Sequence, residues 1–162
     1  AAIVFLSQGV PFIQAGQEFL RSKPNDYTGT SFAENSYNSP DSVNSIKWNR
    51  KTEYKDVYNY YKGLIELRKA HSLFRMTTKE QIEKHLSFID NCPENTVAFI
   101  LKGDNEEITV IFNANKETTA VNIPDGKWNV ILNDNTAGNN IINSINSERV
   151  EVPPTSAMVL IR

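Results

Sequence analysis

Gly9-Val10-Pro11-Phe12-Ile13-Gln14-Ala15-Gly16-Gln17-Glu18-Phe19 is the stretch on which the reading of this chain turns. It reads as a short apolar strand over residues 10–15, opened by Gly and Pro, stopped by Gly16, with the carboxylate of Glu18 at its exit. A nearly continuous apolar run is what a parallel strand covered on both faces requires. A carboxylate at its end suits a parallel barrel, where the chemistry lies at the carboxyl ends of the strands. Before it, Ala1-Ala2-Ile3-Val4-Phe5-Leu6 reads as the end of a buried helix, with Gly9 placed to cap it. After it, residues 21–51 are polar, with Pro24, Gly29 and Pro40 among many Asn, Ser and Thr. Loops this long inside a compact domain are usually functional.

Residues 53–71 carry the clearest helical pattern, with Val57, Tyr61, Leu64, Ile65 and Arg68 on one face. Thr52 is the expected N-cap, and Lys69 and His71 suit the last turn. Gly63 weakens such a helix by about 1 kcal/mol relative to Ala, which points to a close packing contact. Thr77 and Glu80 have the spacing of a capping box for one more short turn over 77–82. From about Lys84 the apolar period changes from 3.6 to 2. Strands are expected at 85–90, 97–102, 107–113, 119–123, 128–133, 149–152 and 157–162, separated by Gly103-Asp104-Asn105, Pro124-Asp125-Gly126 and Pro153-Pro154. Short strands so spaced predict an antiparallel sandwich. The Asn-rich segment 133–147 reads as a surface loop with room for one more short strand.

The chain has 162 residues, 40% of them hydrophobic, and a formal net charge of -2. That is enough for one ordinary domain or two small ones, and it supplies no basic field to attract nucleic acid. No apolar run is long enough to span a bilayer, and the apolar start without Met reads as a chain that begins inside a helix. The lone Cys92 can form no intrachain disulfide and has no zinc-site partners, and it reads as a structural or incidental residue.

Residues 9–19 resemble the eighth-strand motif of the α-amylase superfamily, glycoside hydrolase family 13. Glu34-Asn35-Ser36-Tyr37-Asn38-Ser39-Pro40-Asp41-Ser42-Val43-Asn44 narrows the likeness to type I pullulanases, which debranch α-glucans. Leu64-Ile65-Glu66-Leu67-Arg68-Lys69-Ala70-His71-Ser72-Leu73-Phe74-Arg75 is similar to the final barrel helix and its exit in those enzymes, and residues 152–160 to the last strand of their C-terminal domains. The resemblance implies a mixed fold: the last β/α unit of a (β/α)8 TIM barrel over 1–84, followed by an all-β antiparallel sandwich over 85–162. It implies the C-terminal portion of an enzyme that hydrolyses α-1,6 glucosidic branch points in pullulan, glycogen or dextrins. Its partners are then an α-glucan and the remainder of the barrel. No organic cofactor is needed. Family members often bind calcium, and no site for it can be located in this sequence.

Retaining glycosidases need two carboxyl groups about 5–5.5 Å apart. In the family resembled, the three catalytic carboxylates follow the fourth, fifth and seventh strands, which this chain lacks, so the chain alone is expected to be inactive. Glu18 matches a carboxylate that holds loops beneath the site; contact with sugar is the alternative. Asn35, Ser36 and Tyr37 offer an amide, a hydroxyl and a phenol ring suited to a glucan, or else serve as ordinary loop residues. Trp48 either stacks on sugar or anchors the loop, and Lys47 stands where the family commonly has Asp. His71 is read as a helix-end residue and Trp128 as core. No metal-ligand spacing, phosphate loop or nucleophile elbow occurs. The competing class is a non-enzymatic carbohydrate-binding or interaction module built on the sandwich.

Overall fold

The computed structural model describes residues 1–24, 32–33 and 35–162. The chain divides into two compact units, Ala1–Pro11 with Tyr60–Arg162, and Phe12–Asn59. The larger unit is mostly antiparallel sheet. Its strands are β1 (Leu86–Phe88), β2 (Thr96–Lys102), β3 (Glu107–Asn113), β4 (Thr119–Asn122), β5 (Lys127–Leu132), β6 (Asn143–Asn146), β7 (Arg149–Val152) and β8 (Ser156–Ile161). Six form one sheet in the order β1-β2-β3-β8-β5-β6, and β4 pairs with β7 in a second. The expected strands are present, and the Asn-rich loop supplies β6.

The core of the sandwich is built from alternate residues facing between the sheets: Ala98, Ile111, Trp128, Val130, Met158 and Leu160 from the larger, Val121, Val150 and Val152 from the smaller. Trp128 is fully buried, its indole N–H donates to the Pro124 carbonyl at 2.8 Å, and the Arg162 guanidinium lies over the ring at 4.2 Å. The opposite face of the large sheet is also apolar: Phe99, Leu101, Ile108, Val110 and Val159 are all buried. Helices cover it, which is why β3 and β8 are buried at nearly every position and do not alternate.

Those helices are α1 (Ala2–Leu6), part of α4 (Lys55–Ala70) and α5 (Lys79–His85), with a 3₁₀ turn at Ser72–Arg75. On α4, Tyr61, Gly63, Leu64, Leu67 and Arg68 are buried, whereas the expected Ile65 is exposed. A Cβ at Gly63 would lie 1.9 Å from the Ala137 carbonyl oxygen, so the contact anticipated there is real and involves backbone. Two further short helices, α2 (Asp41–Asn44) and α3 (Arg50–Glu53), lie in the smaller unit.

Several expectations need correction. Residues 10–15 form no strand: no described strand pairs with them, and Val10 and Phe12 are 95% and 91% exposed. A parallel strand needs neighbours to take its amides, and apolar sequence alone does not supply them. The residue that closes α1 is Ser7; Gly9 comes two residues later in left-handed geometry at φ 95°. The helix expected from 53 to 71 is interrupted at Tyr54 (φ -111°, ψ 48°), so Thr52 lies inside α3 and caps nothing. Thr78, not Thr77, caps α5: its hydroxyl accepts from the Gln81 N–H at 3.2 Å, and the Gln81 side chain accepts from the Thr77 N–H at 3.0 Å. The cap lies one residue later than expected, and the Gln81 side chain reaches back past it to the residue before the cap. His85 ends α5 and opens no strand.

Candidate functional site

The loop singled out from sequence lies in the unit Phe12–Asn59, and its shape starts at Gly16. Gly16 has φ 90°, and a Cβ there would meet the Arg21 side chain at 2.8 Å, so only glycine fits the turn. Glu18 folds back on this turn, its Oε2 accepting from the Gly16 N–H at 3.0 Å. Phe19 is buried, and the Trp48 ring packs on it at 5.8 Å between centroids while remaining 67% exposed. Trp48 thus combines an anchored edge with an accessible face.

Arg21 ties the turn to the rest of the loop, donating to the Ala15 carbonyl at 3.2 Å and to the Asn44 carbonyl. Asn44 in turn donates its side-chain amide to the carbonyls of Ser36 at 2.6 Å and Ser39 at 2.9 Å. Lys23 donates to the Ser36 hydroxyl at 2.7 Å. Ser36 is buried with both its hydroxyl and its carbonyl engaged. Its neighbours differ: Asn35 is exposed and Tyr37 is 87% exposed. The three candidates are therefore adjacent in sequence and unlike in situation. Ser36 is a fixed point of the loop, and Asn35 and Tyr37 are presented on either side of it. Glu34, which opens the motif, lies outside the described residues, as does Gly29.

Arg50 extends this framework by donating to the Leu20 carbonyl at 2.8 Å and stacking on Tyr54 at 4.5 Å. Leu20 accepts that bond while holding a left-handed φ of 58°. Lys47 donates to the Ser45 hydroxyl at 2.8 Å, which turns its charge toward its own loop. Arg21 and Asn44 were not singled out from the sequence; an Arg or Asn in a polar loop gives no signal of bridging until its carbonyl partners are known. What the arrangement offers is aromatic faces and hydrogen-bonding groups on a braced loop. Among the described residues, no group of three or more His, Cys, Asp or Glu could hold a metal ion. No described helix is long and apolar enough to cross a membrane.

In the larger unit, Arg68 is buried and donates to the carbonyls of Phe5 at 2.8 Å, Ser7 at 2.7 Å and Gly9 at 2.5 Å. It satisfies the Phe5 carbonyl in the last turn of α1 and two carbonyls in the segment just after it. Burial, and then the nearby charge of Arg75, lower its pKa from the ordinary arginine value. His71 does more than end its helix: its Nδ1 lies 2.7 Å from Glu106 Oε2. Tyr60 donates to the Asn133 carbonyl at 2.8 Å, and burial, assisted by Asp134, pushes its phenol up to about 12.

Comparison with known proteins adds to this geometry. Residues 82–136 match the model of the pullulanase all-beta domain. The pullulanase of Bacillus subtilis (strain 168) is 38% identical over 130 residues, 77% of this chain and 17% of the relative. The solved pullulanase from Bacillus acidopullulyticus superposes with a TM-score of 0.90 at 40% identity, covering 99% of this chain and 19% of that one. This chain belongs to the pullulanase family. It spans about a fifth of the length of the pullulanases it matches. A further pullulanase, from Anoxybacillus sp. LM18-11, has been solved in complex with maltotriose; it superposes with a TM-score of 0.83 at 36% identity, over 99% of this chain and 22% of that one.

Proposed function

We propose that this pullulanase-family chain is the C-terminal portion of a debranching glycoside hydrolase acting on α-1,6 glucosidic branch points in pullulan, glycogen or dextrins. The observation that carries the reading is the superposition on a pullulanase over 99% of the chain at 40% identity. On this reading residues 1–84 are the end of the catalytic barrel, its last β/α unit, and residues 85–162 are the C-terminal sandwich. The segment 10–15 becomes the eighth barrel strand only when its neighbours flank it.

The chain's own contribution is positional. Asn35 and Tyr37, held on either side of the buried Ser36, hydrogen-bond and stack against a glucan, and Glu18 braces the turn beneath them. A phenol ring suits the apolar face of a glucose unit and leaves its hydroxyl free to bond. Hydrolysis needs a nucleophile and an acid/base about 5–5.5 Å apart, and both come from the parts of the enzyme outside this chain. The test is the product pattern of the full-length protein. It should convert pullulan to maltotriose and leave unbranched amylose intact. Cleavage of amylose with pullulan untouched would refute the assignment.

A further inference from the structure

Tyr37 and Asn38 form the corner of a four-residue turn, Ser36–Ser39, closed by the Ser39 N–H donating to the Ser36 carbonyl at 3.0 Å. Both corner residues are exposed, whereas Ser36 is buried. Asn44, the last residue of α2, reaches this turn from outside it. Its side-chain amide has two protons to give, and each end of the turn takes one: the Ser36 carbonyl at 2.6 Å and the Ser39 carbonyl at 2.9 Å.

Asn44 is itself held in place. Its backbone N–H donates to the Pro40 carbonyl at 3.0 Å within the helical turn, and its own carbonyl accepts from Arg21. The Arg21 side chain also donates to the Ala15 carbonyl at 3.2 Å, and its backbone N–H to the Gly16 carbonyl at 2.8 Å. A continuous set of bonds therefore runs from the glycine turn, through Arg21 and Asn44, to both ends of the turn that carries Tyr37. An exposed ring on a loose loop must be ordered when a ligand binds it, and that ordering opposes binding. Here the backbone beneath the ring is ordered beforehand.

We propose that Asn44 is a positioning residue for glucan binding: it presets the Tyr37 corner and acts on affinity through that ring without touching sugar. The inference rests on the debranching-enzyme reading above, in which Tyr37 meets the substrate. A preset corner serves bound substrate and transition state alike, so its loss falls on KM and spares kcat. A residue that only braces the fold behaves differently. Its removal lowers stability, and any effect on KM is the same whatever side chain stands at position 37.

A double-mutant cycle in the full-length protein tests it. Asn44→Ala, Tyr37→Ala and the two together are compared for KM and kcat on pullulan, and for maltotriose Kd by titration calorimetry. Asn44→Ala should raise KM and Kd several-fold and leave kcat within about two-fold of its original value. Added to Tyr37→Ala, it should raise neither any further. Asn44→Asp keeps the size of the side chain, gives up both donors when ionised, and should reproduce the loss. Losses that multiply in the double variant, an unchanged KM and Kd, or a fall confined to kcat would each overturn the proposal. So would melting curves in which both Asn44 variants are unfolded, which would make Asn44 a residue of the fold alone. Maltotriose binding that weakens in the non-additive way, with no pullulan hydrolysed by the unaltered protein, leaves the role of Asn44 standing and removes the debranching assignment. Hydrolysis with multiplying losses does the reverse. Neither binding nor hydrolysis by the unaltered protein removes both.

Discussion

At the scale of single residues, Ser36 and Tyr37 show how one turn of chain divides its labour. Ser36 has its hydroxyl held by Lys23 and its carbonyl by Asn44, so it fixes the loop. Tyr37 is 87% exposed and free to meet a ligand. Tyr37→Ala in the full-length enzyme should therefore raise KM several-fold, from a loss of about 1 kcal/mol of stacking, and leave kcat near its original value. Steady-state kinetics on pullulan check this, and an unchanged KM returns the residue to a purely local role. Trp128 is the contrasting aromatic. It is fully buried, hydrogen-bonded to Pro124 and stacked under Arg162. Trp128→Ala should lower stability by about 3–5 kcal/mol, seen as a large drop in Tm or in the denaturant midpoint, with no separate effect on KM. The core role of Trp128 was legible because alternation placed it with Val130 on one face. The split between Ser36 and its neighbours was not, because nothing local says which of three polar loop residues will be captured by a lysine thirteen positions earlier.

At the scale of elements, the sandwich strands were readable and the first apolar segment was not, for one physical reason. Strands β2, β3 and β8 are hydrogen-bonded to partners close in the sheet order, and their period-2 or continuous apolar patterns meet a core supplied by this chain. Residues 10–15 have an equally apolar pattern and no strand partner among the described residues, so they remain outside any sheet. Amide exchange should accordingly be fast at residues 10–15 and slow across β2, β3 and β8 in the isolated chain. Strong protection at 10–15 in a monomer would contradict this. The break at Tyr54 and the shift of the α5 cap from Thr77 to Thr78 are errors of one or two residues, where helix ends respond to packing that propensity does not see.

The tie between α4 and the loop after β5 has a pH signature. The Tyr60 phenol is pushed up to about 12 from an ordinary value of 10, by burial first and Asp134 second. The folded state thus holds its proton where the unfolded chain releases it. The stability this group contributes is fully present below pH 10 and is lost as pH rises from 10 through 12. Tyr60→Phe should flatten that alkaline decline while lowering stability at neutral pH by about 1 kcal/mol, the worth of the bond to the Asn133 carbonyl. Denaturant midpoints of both proteins between about pH 7 and 12 give the comparison, and parallel curves would exclude Tyr60 as the source.

At the scale of the whole molecule, the proposed reading gives this chain the positioning of a glucan and leaves cleavage to the rest of the enzyme. A single carboxylate at the loop turn, occupied with the Gly16 amide, cannot act as both nucleophile and acid. The family likeness was carried in the sequence by the 9–19 motif, with Gly9, Pro11 and Gly16, and by the Asn- and Ser-rich 34–44 motif. The sandwich beyond residue 85 carries only generic patterning, and its family became specific through the match over residues 82–136. Maltotriose release from pullulan, run at equal molarity with the full-length protein and with the purified 162-residue chain, separates positioning from cleavage. Steady release is expected from the full-length protein and none from the chain. Maltotriose produced by the chain alone would contradict a purely positional role.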